Sequence, residues 1–258
     1  MDKLSCADIV LVSKFFLTFN DFITLVLVNR KFSYLMQRLF YNPIEIDAKT
    51  LNCFPNITTL NLWSPKANTF TKFKPNSEIQ ETLKLVIWYT VDYQSSLKLN
   101  KLGCVTKVIE YTSKNRNRFG NEIQLDVSRL GVSCYSKCTN LNSIVIPERV
   151  THIADCCFEG CVYLSSVSIP QHITRIGNSC FRGCSLLKSI ILPNNIKHIG
   201  INCFRNCVKL NSINMPSSIT YWKGVFQALF QVKCNDNTKI IFYIELCLFV
   251  WVYQSPIN

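Results

Sequence analysis

The sequence predicts a repeat solenoid, a stack of 23-residue units each with one β-strand and one short helical turn, preceded by a small helical N-terminal cap. Three observations carry this. Pro147, Pro170, Pro193 and Pro216 recur every 23 residues, each after an apolar residue (Ile146, Ile169, Leu192, Met215). Ser143-Ile144, Ser166-Val167, Ser189-Ile190 and Ser212-Ile213 keep the same step, as do Leu141, Leu164, Leu187 and Leu210. Cys157-Phe158, Cys180-Phe181 and Cys203-Phe204 recur with it, each with a second cysteine four residues on (Cys161, Cys184, Cys207), and Cys134, Tyr135 and Cys138 are an earlier copy. Self-similarity at a fixed step of this length is the mark of a stacked array, because one unit alone cannot bury its apolar face.

In chain order, residues 1–42 read as helical. Ile9, Val12 and Phe16, then Phe22, Leu25, Val26, Val28 and Phe32, recur at helix spacing, with Asp21 placed as an N-cap. The segments Asp8-Ile9-Val10, Asp21-Phe22-Ile23-Thr24-Leu25 and Val28-Asn29-Arg30-Lys31-Phe32 resemble a divergent F-box, although its leading leucine-proline is missing, Leu4 being followed by Ser5. That resemblance implies an adaptor docked on a ubiquitin-ligase scaffold. The plain alternative is a helical cap, which an open solenoid end needs to cover its core.

Residues 43–122 form an irregular strand-rich region. The runs Ile44–Ile46, Ile57–Trp63, Leu83–Tyr93 and Val105–Tyr111 read as strands, and Ile57-Thr58-Thr59-Leu60-Asn61-Leu62 echoes the later repeat, so degenerate repeats are expected here. The polar stretch 112–121 reads as a loop and holds the one compact basic run, Lys114, Arg116 and Arg118.

Residues 123–219 are the regular repeats. In Leu-x-Ser-Ile-x-Ile-Pro the two isoleucines lie two apart and share a strand face, and proline ends the strand because it has no ladder donor. In Cys-Phe-x-x-Cys the cysteines share a face of a helical turn. Gly160, Gly183 and Asn206 stand where a left-handed residue would close that turn. Lys137 in the same column predicts a looser turn in the first copy. Residues 220–258 leave the pattern: Lys223, Phe226 and Gln227 occupy the glycine, cysteine and phenylalanine columns, and the apolar run Ile240–Tyr253 reads either as a capping strand or as the end of a truncated array.

The columns Ile-Pro-x-x-Ile-x-x-Ile-Gly-x-x-Cys-Phe-x-x-Cys-x-x-Leu-x-x-Ile resemble the BspA-like class of leucine-rich repeats, over about residues 123–219. The resemblance implies a curved solenoid of the leucine-rich type that binds other macromolecules, in recognition or adhesion; several members of that class are surface adhesins. Its first cysteine position is often alanine there, which agrees with Cys157, Cys180 and Cys203 being small buried side chains.

Composition narrows the function. Hydrophobic content of 48% with 17% charge describes an ordered chain rather than a disordered one. The net charge of +12 is spread thinly, so no concentrated phosphate-binding face, and no nucleic-acid partner, is expected. Fourteen cysteines invite a disulfide scaffold, but Lys14, Asn20 and Asp21 interrupt any signal-peptide core. Reduced thiols and a cytoplasmic location are expected, the alternative being the cell surface by an unconventional route. No membrane span is expected: Ile240–Tyr253 is 14 residues long and contains Glu245, short of the ~20 a bilayer requires.

No enzyme motif occurs: there is no Gly-rich phosphate loop, Gly-x-Ser-x-Gly elbow or His-Glu-x-x-His, and Asp126, Glu148, Asp155 and Glu159 do not share a column. No metal, cofactor or catalytic residue is therefore expected. Cys-x-x-Cys is absent, His152 and His198 lie two repeats or ~10 Å apart, and His172 falls in another column. Binding is assigned to the solvent-facing strand columns: a uniform polar rail of Ser143, Ser166, Ser189 and Ser212, flanked by two columns that vary between copies, Asn142, Ser165, Lys188 and Asn211, and Val145, Ser168, Ile191 and Asn214. The expected partner is a protein, because small molecules favour concave apolar pockets.

Overall fold

The structure, a computed structural model, describes residues 6–65 and 83–214, with 216, 218, 219, 232, 233, 239 and 240. The chain forms two compact units, Met1–Val108 and Ile109–Asn258.

The first unit opens with helices α1 (Cys6–Val12) and α2 (Phe19–Val28), then single 3-10 turns at Arg30–Phe32 and Met36–Arg38. Asp21 is not the N-cap: α2 begins after Thr18, and Asp21, in its first turn, turns back to accept the Leu17 and Thr18 N–H groups at 2.8 Å each. Those hydrogen bonds hold its carboxyl below the usual range. Phe22 is buried edge-on against Phe16 and Phe54, whereas Val12 and Val28, periodic in the sequence, face solvent. After α3 (Ala48–Leu51), strand β1 (Thr59–Leu62) pairs in parallel with β2 (Lys84–Asp92). The expected strand Ile44–Ile46 does not form. The buried Asn42 side chain takes the place of a ladder there, donating to the Ile44 and Asn61 carbonyls and accepting from the Asn61 N–H, and leaves Ile44 and Ile46 packed inward as a loop. Helix α4 (Tyr93–Lys101), capped by Asp92, leads to β3 (Val105–Tyr111), next to β2 in the sheet order.

The second unit carries the end of β3 and then, against expectation for 112–121, a helix rather than a loop. Helix α5 (Ser113–Phe119) has no apolar periodicity, but Thr112 and Asn115 cap one another at its start and Gly120, at φ 95°, ends it. Arg116 from this helix lies over the Tyr135 ring at 5.9 Å, so the basic run is not simply a solvated turn.

From here the 23-residue step sets every register. Strands β5 (Ser143–Val145) and β7 (Ser166–Ser168) pair in parallel, serine on serine, and so do β9 (Ser189–Ile191) and β11 (Ser212–Asn214). Each repeat also contributes a second strand, not foreseen from the sequence: β4 (Arg129–Leu130), β6 (His152–Ile153), β8 (Arg175–Ile176) and β10 (His198–Ile199) extend β3 as one parallel sheet. This is a repeat solenoid of the leucine-rich type. Beyond it, β12 (Val232–Lys233) pairs with β11 and β13 (Lys239–Ile240) with β12. The rest of 220–258, including most of the Ile240–Tyr253 run, lies outside the described residues. No described helix is long and apolar enough to cross a membrane.

The helical turn of each repeat is a string of i→i−3 hydrogen bonds, such as Cys134 N–H to Gly131 O and Cys138 N–H to Tyr135 O. Between these, alternate N–H groups donate to the next repeat, Tyr135 to Cys157 O and Phe158 to Cys180 O, so the turns are stitched together as strands would be. That alternation needs two left-handed residues per turn. One column is Lys137, Gly160, Gly183 and Asn206, with φ of 55°, 70°, 73° and 60°. Lys137 therefore adopts the same turn as the glycines, correcting the expected looser one; a side chain there costs about 1 kcal/mol, which the inter-repeat bonds offset. The other column is Ser133, Cys156, Ser179 and Asn202. Inside, Tyr111, Tyr135, Phe158, Phe181 and Phe204 form one stack of fully buried rings, centroids 5.2 to 6.4 Å apart.

Candidate functional site

The first strand of each repeat alternates in and out. Ile144, Ile190 and Ile213 point into the core, while Ser143, Val145, Ser166, Ser168, Ser189 and Ile191 face solvent. Asn142, Ser165, Lys188 and Asn211, just before the strands, are also exposed; Ser212 and Asn214 are half-buried. The structure thus brings the twelve residues together as three neighbouring columns. Two are occupied structurally: Ser165 Oγ donates to the Asn142 carbonyl at 2.9 Å, and the Asn214 amide binds the Leu192 backbone through both its oxygen and its nitrogen. What stands out in the remainder is aliphatic. Val145 is 73% exposed and Ile191 70%, two repeats apart in one column, on a face otherwise of small polar residues.

The cysteine columns are chemically quiet. Cys134, Cys157, Cys180 and Cys203 are fully buried, and burial pushes the Cys134 thiol up to about 12 and holds the other three above their ordinary value. The second column has a structural task the sequence did not reveal. Cys161 Sγ donates to Tyr135 O at 2.9 Å, Cys184 Sγ to Phe158 O at 3.2 Å and Cys207 Sγ to Phe181 O at 2.9 Å, each reaching the preceding repeat. Burial raises Cys161 to about 11 and Cys207 to about 12. Because the thiolate is the nucleophile, iodoacetamide at pH 8 is expected to alkylate the exposed Cys53 and spare the eight columnar cysteines until denaturant is added. Peptide mass spectrometry reads this directly, and early labelling of Cys180 or Cys184 would sink it.

Among the described residues no three His, Cys, Asp or Glu side chains converge to hold a metal ion. His172 Nε2 lies 2.7 Å from Val150 O and its Nδ1 3.5 Å from Glu148. His152 and His198 stand in the second-strand column with Arg175 between them. Sequence reasoning weighed these histidines as metal ligands and missed the column itself, Arg129, His152, Arg175 and His198, although its 23-residue step was there to be read.

Residues 111–231 match the family model of the BspA type leucine rich repeat region, in six copies. Among solved structures, a leucine-rich repeat protein from Bacteroides ovatus is similar at 27% identity over 64% of this chain and 39% of that one, with a TM-score of 0.38. A leucine rich cell surface protein from Faecalibacterium prausnitzii shares 33% identity over 39% of this chain and 26% of its own, TM-score 0.38. The T. pallidum leucine rich repeat protein shares 25% identity over 35% and 53%, TM-score 0.31. The chain spans about two fifths of the first of these. No curated protein matches.

Proposed function

We propose that the repeats are a non-enzymatic protein-recognition module whose contact surface is the outward columns of β5, β7 and β9, continued by the half-buried column of β11. One observation carries this reading: Val145 and Ile191, both largely exposed, stand two repeats apart in one strand column whose surrounding positions are serine, asparagine and lysine. Two aliphatic anchors in a polar surround fit the usual layout of a protein interface, a small apolar centre inside a polar rim. The BspA type repeat match over 111–231 supports it. In the adhesion form of this reading, the module is displayed at the cell surface.

The test is a comparison of full-length protein with the Val145→Asp/Ile191→Asp variant in pull-downs from the native cells. Both residues point away from the core, so the variant should unfold at the same urea midpoint as the parent. Its captured partners should bind about tenfold more weakly or worse. Equal recovery by both proteins would remove this face from the binding function.

A second reading rests on the N-terminal helices. Phe15 and Leu17, between α1 and α2, and Leu27 and Val28, at the end of α2, are exposed at 82%, 87%, 81% and 75%, a group of large apolar side chains open to a partner. It supports the F-box alternative, in which residues 1–42 dock a ubiquitin-ligase scaffold and the repeats hold the substrate. Leu17→Asp/Leu27→Asp in the full chain should then lose the scaffold protein and keep the partners of the repeat face. Unchanged capture of all partners would leave the segment as a cap.

A further inference from the structure

On the second sheet, Arg129 of β4, His152 of β6, Arg175 of β8 and His198 of β10 are direct cross-strand neighbours, one per repeat. Neighbouring parallel strands are about 4.8 Å apart, so four basic side chains form a straight row about 14 Å long, with an arginine on every other rung. His152 and Arg175 are exposed, and Arg129 and His198 are half-buried. The flanking column adds Ser128, Thr151, Thr174 and Lys197, the last three exposed. Glu110 stands beside Arg129 at the first rung; beyond it the row meets no acid in its own column.

We infer that this row is a binding strip for an acidic polysaccharide, the Arg129, His152, Arg175 and His198 side chains lying along a run of sulfate and uronate groups. Several features favour that ligand over other polyanions. β4, β6 and β8 are paired on both sides, so an acidic peptide has no free strand edge to extend there and must bind through side chains alone. Apolar anchor positions are missing from both columns, and so are phenylalanine, tyrosine and tryptophan platforms for stacking nucleic-acid bases, the two histidine rings being the only aromatic groups in the row. What the strip offers is regularly spaced positive charge bordered by hydroxyls, which matches a chain of repeating anions and hydroxyls. The face is distinct from the one that carries Val145 and Ile191, so the two assignments stand or fall separately.

The side chains facing His152 are Arg129 from β4 and Arg175 from β8, with Thr151 Oγ1 2.8 Å from its Nδ1 and Glu110 one rung beyond Arg129. Burial, then the two arginines, hold its imidazole below the ordinary value. An anion laid over the row reverses the arginines' effect and favours the imidazolium, so binding should strengthen as pH falls from 7.5 to 5.5.

The experiment is titration of the full chain with heparin at low salt, followed by fluorescence anisotropy, with neutral dextran and duplex DNA in parallel. Because any chain of charge +12 attracts polyanions, two variants of equal charge change are compared. Arg129→Gln/Arg175→Gln should lower heparin affinity by about tenfold or more. Lys137→Gln/Lys209→Gln, which leaves the strip intact, should keep affinity within about twofold after its small loss of general attraction. Equal losses in the two variants, heparin binding no tighter than dextran, or duplex DNA bound as tightly as heparin would each overturn the assignment.

Discussion

Gly177→Ala is expected to destabilise the second unit by about 3 kcal/mol, because the new methyl has nowhere to go. A Cβ at this position would stand 2.5 Å from the Ala154 carbonyl carbon, the Asp155 nitrogen and Asp155 Oδ1 of the preceding repeat. Two of those atoms are backbone, and that backbone is fixed by further bonds. The Gly177 N–H donates to Ile153 O, and Asp155 Oδ1 accepts the Asn178 N–H at 2.8 Å. The column does admit a methyl one repeat earlier, where Ala154 still donates its N–H to Leu130 O at 3.0 Å, but there the facing coil carries Gly131 and Val132, whereas at Gly177 it carries Ala154 and the Asp155 carboxylate bonded to Asn178. Gly200 faces the same clash against Gly177 and Asn178. The column is not uniformly closed, which supplies the control. At Gly131 the nearest atoms are the Glu110 side-chain carboxyl and its neighbouring carbon, 3.2 to 3.3 Å away, and these can swing aside. Gly131→Ala should therefore cost less than about 1 kcal/mol. Urea unfolding followed by circular dichroism reads both. A Gly177→Ala midpoint equal to that of Gly131→Ala would show that the coils are not packed this closely.

That glycine column was plain in the sequence at Gly177 and Gly200, and the reason marks what repeats reveal. A position is legible when the same physical demand selects the same residue in each copy. The core demand for a flat ring at 158, 181 and 204 selects phenylalanine, so the column and its register could be read at once, and the structure adds that the rings stack. The left-handed turn at 133, 156, 179 and 202 could not, because serine, cysteine and asparagine meet a demand that only a mild strain opposes. The second strands were hidden for another reason. Two residues are too few to show alternation, and Arg129-Leu130 or His152-Ile153 alone has no strand signature. Helix α5 was hidden because it is polar up to its last residue, Phe119; its legible marks were its ends, Thr112 with Asn115 and Gly120. On the candidate surface, variation between copies drew attention to these strands, but only the structure separated the exposed Val145 and Ile191 from Ser165 and Asn214, whose side chains are hydrogen-bonded to the backbone.

Phe181→Ala is expected to cost about 3–5 kcal/mol, and its effect should reach beyond one repeat. Phe181 is fully buried between Phe158 and Phe204, with centroids 5.3 and 5.6 Å away and the planes within 4° of parallel. Removing the ring opens a void between two rings that are themselves fully buried, beside the buried Cys180 and Cys184 thiols. The backbone offers little relief. The Phe181 N–H donates to Cys203 O and its carbonyl accepts from Cys207 Sγ, so collapse around the void would break the bonds that join two repeats. In a stacked array stability is close to a sum of unit and nearest-neighbour terms, so weakening the central junction should uncouple the repeats on either side. The expected signature is a lower urea midpoint together with loss of coincidence between probes of the two halves. Phe181→Leu, which restores most of the apolar volume without the planar stack, should recover more than half of the loss. If Phe181→Ala unfolded in one coincident transition within about 1 kcal/mol of the parent, the ring stack would not be what couples the repeats.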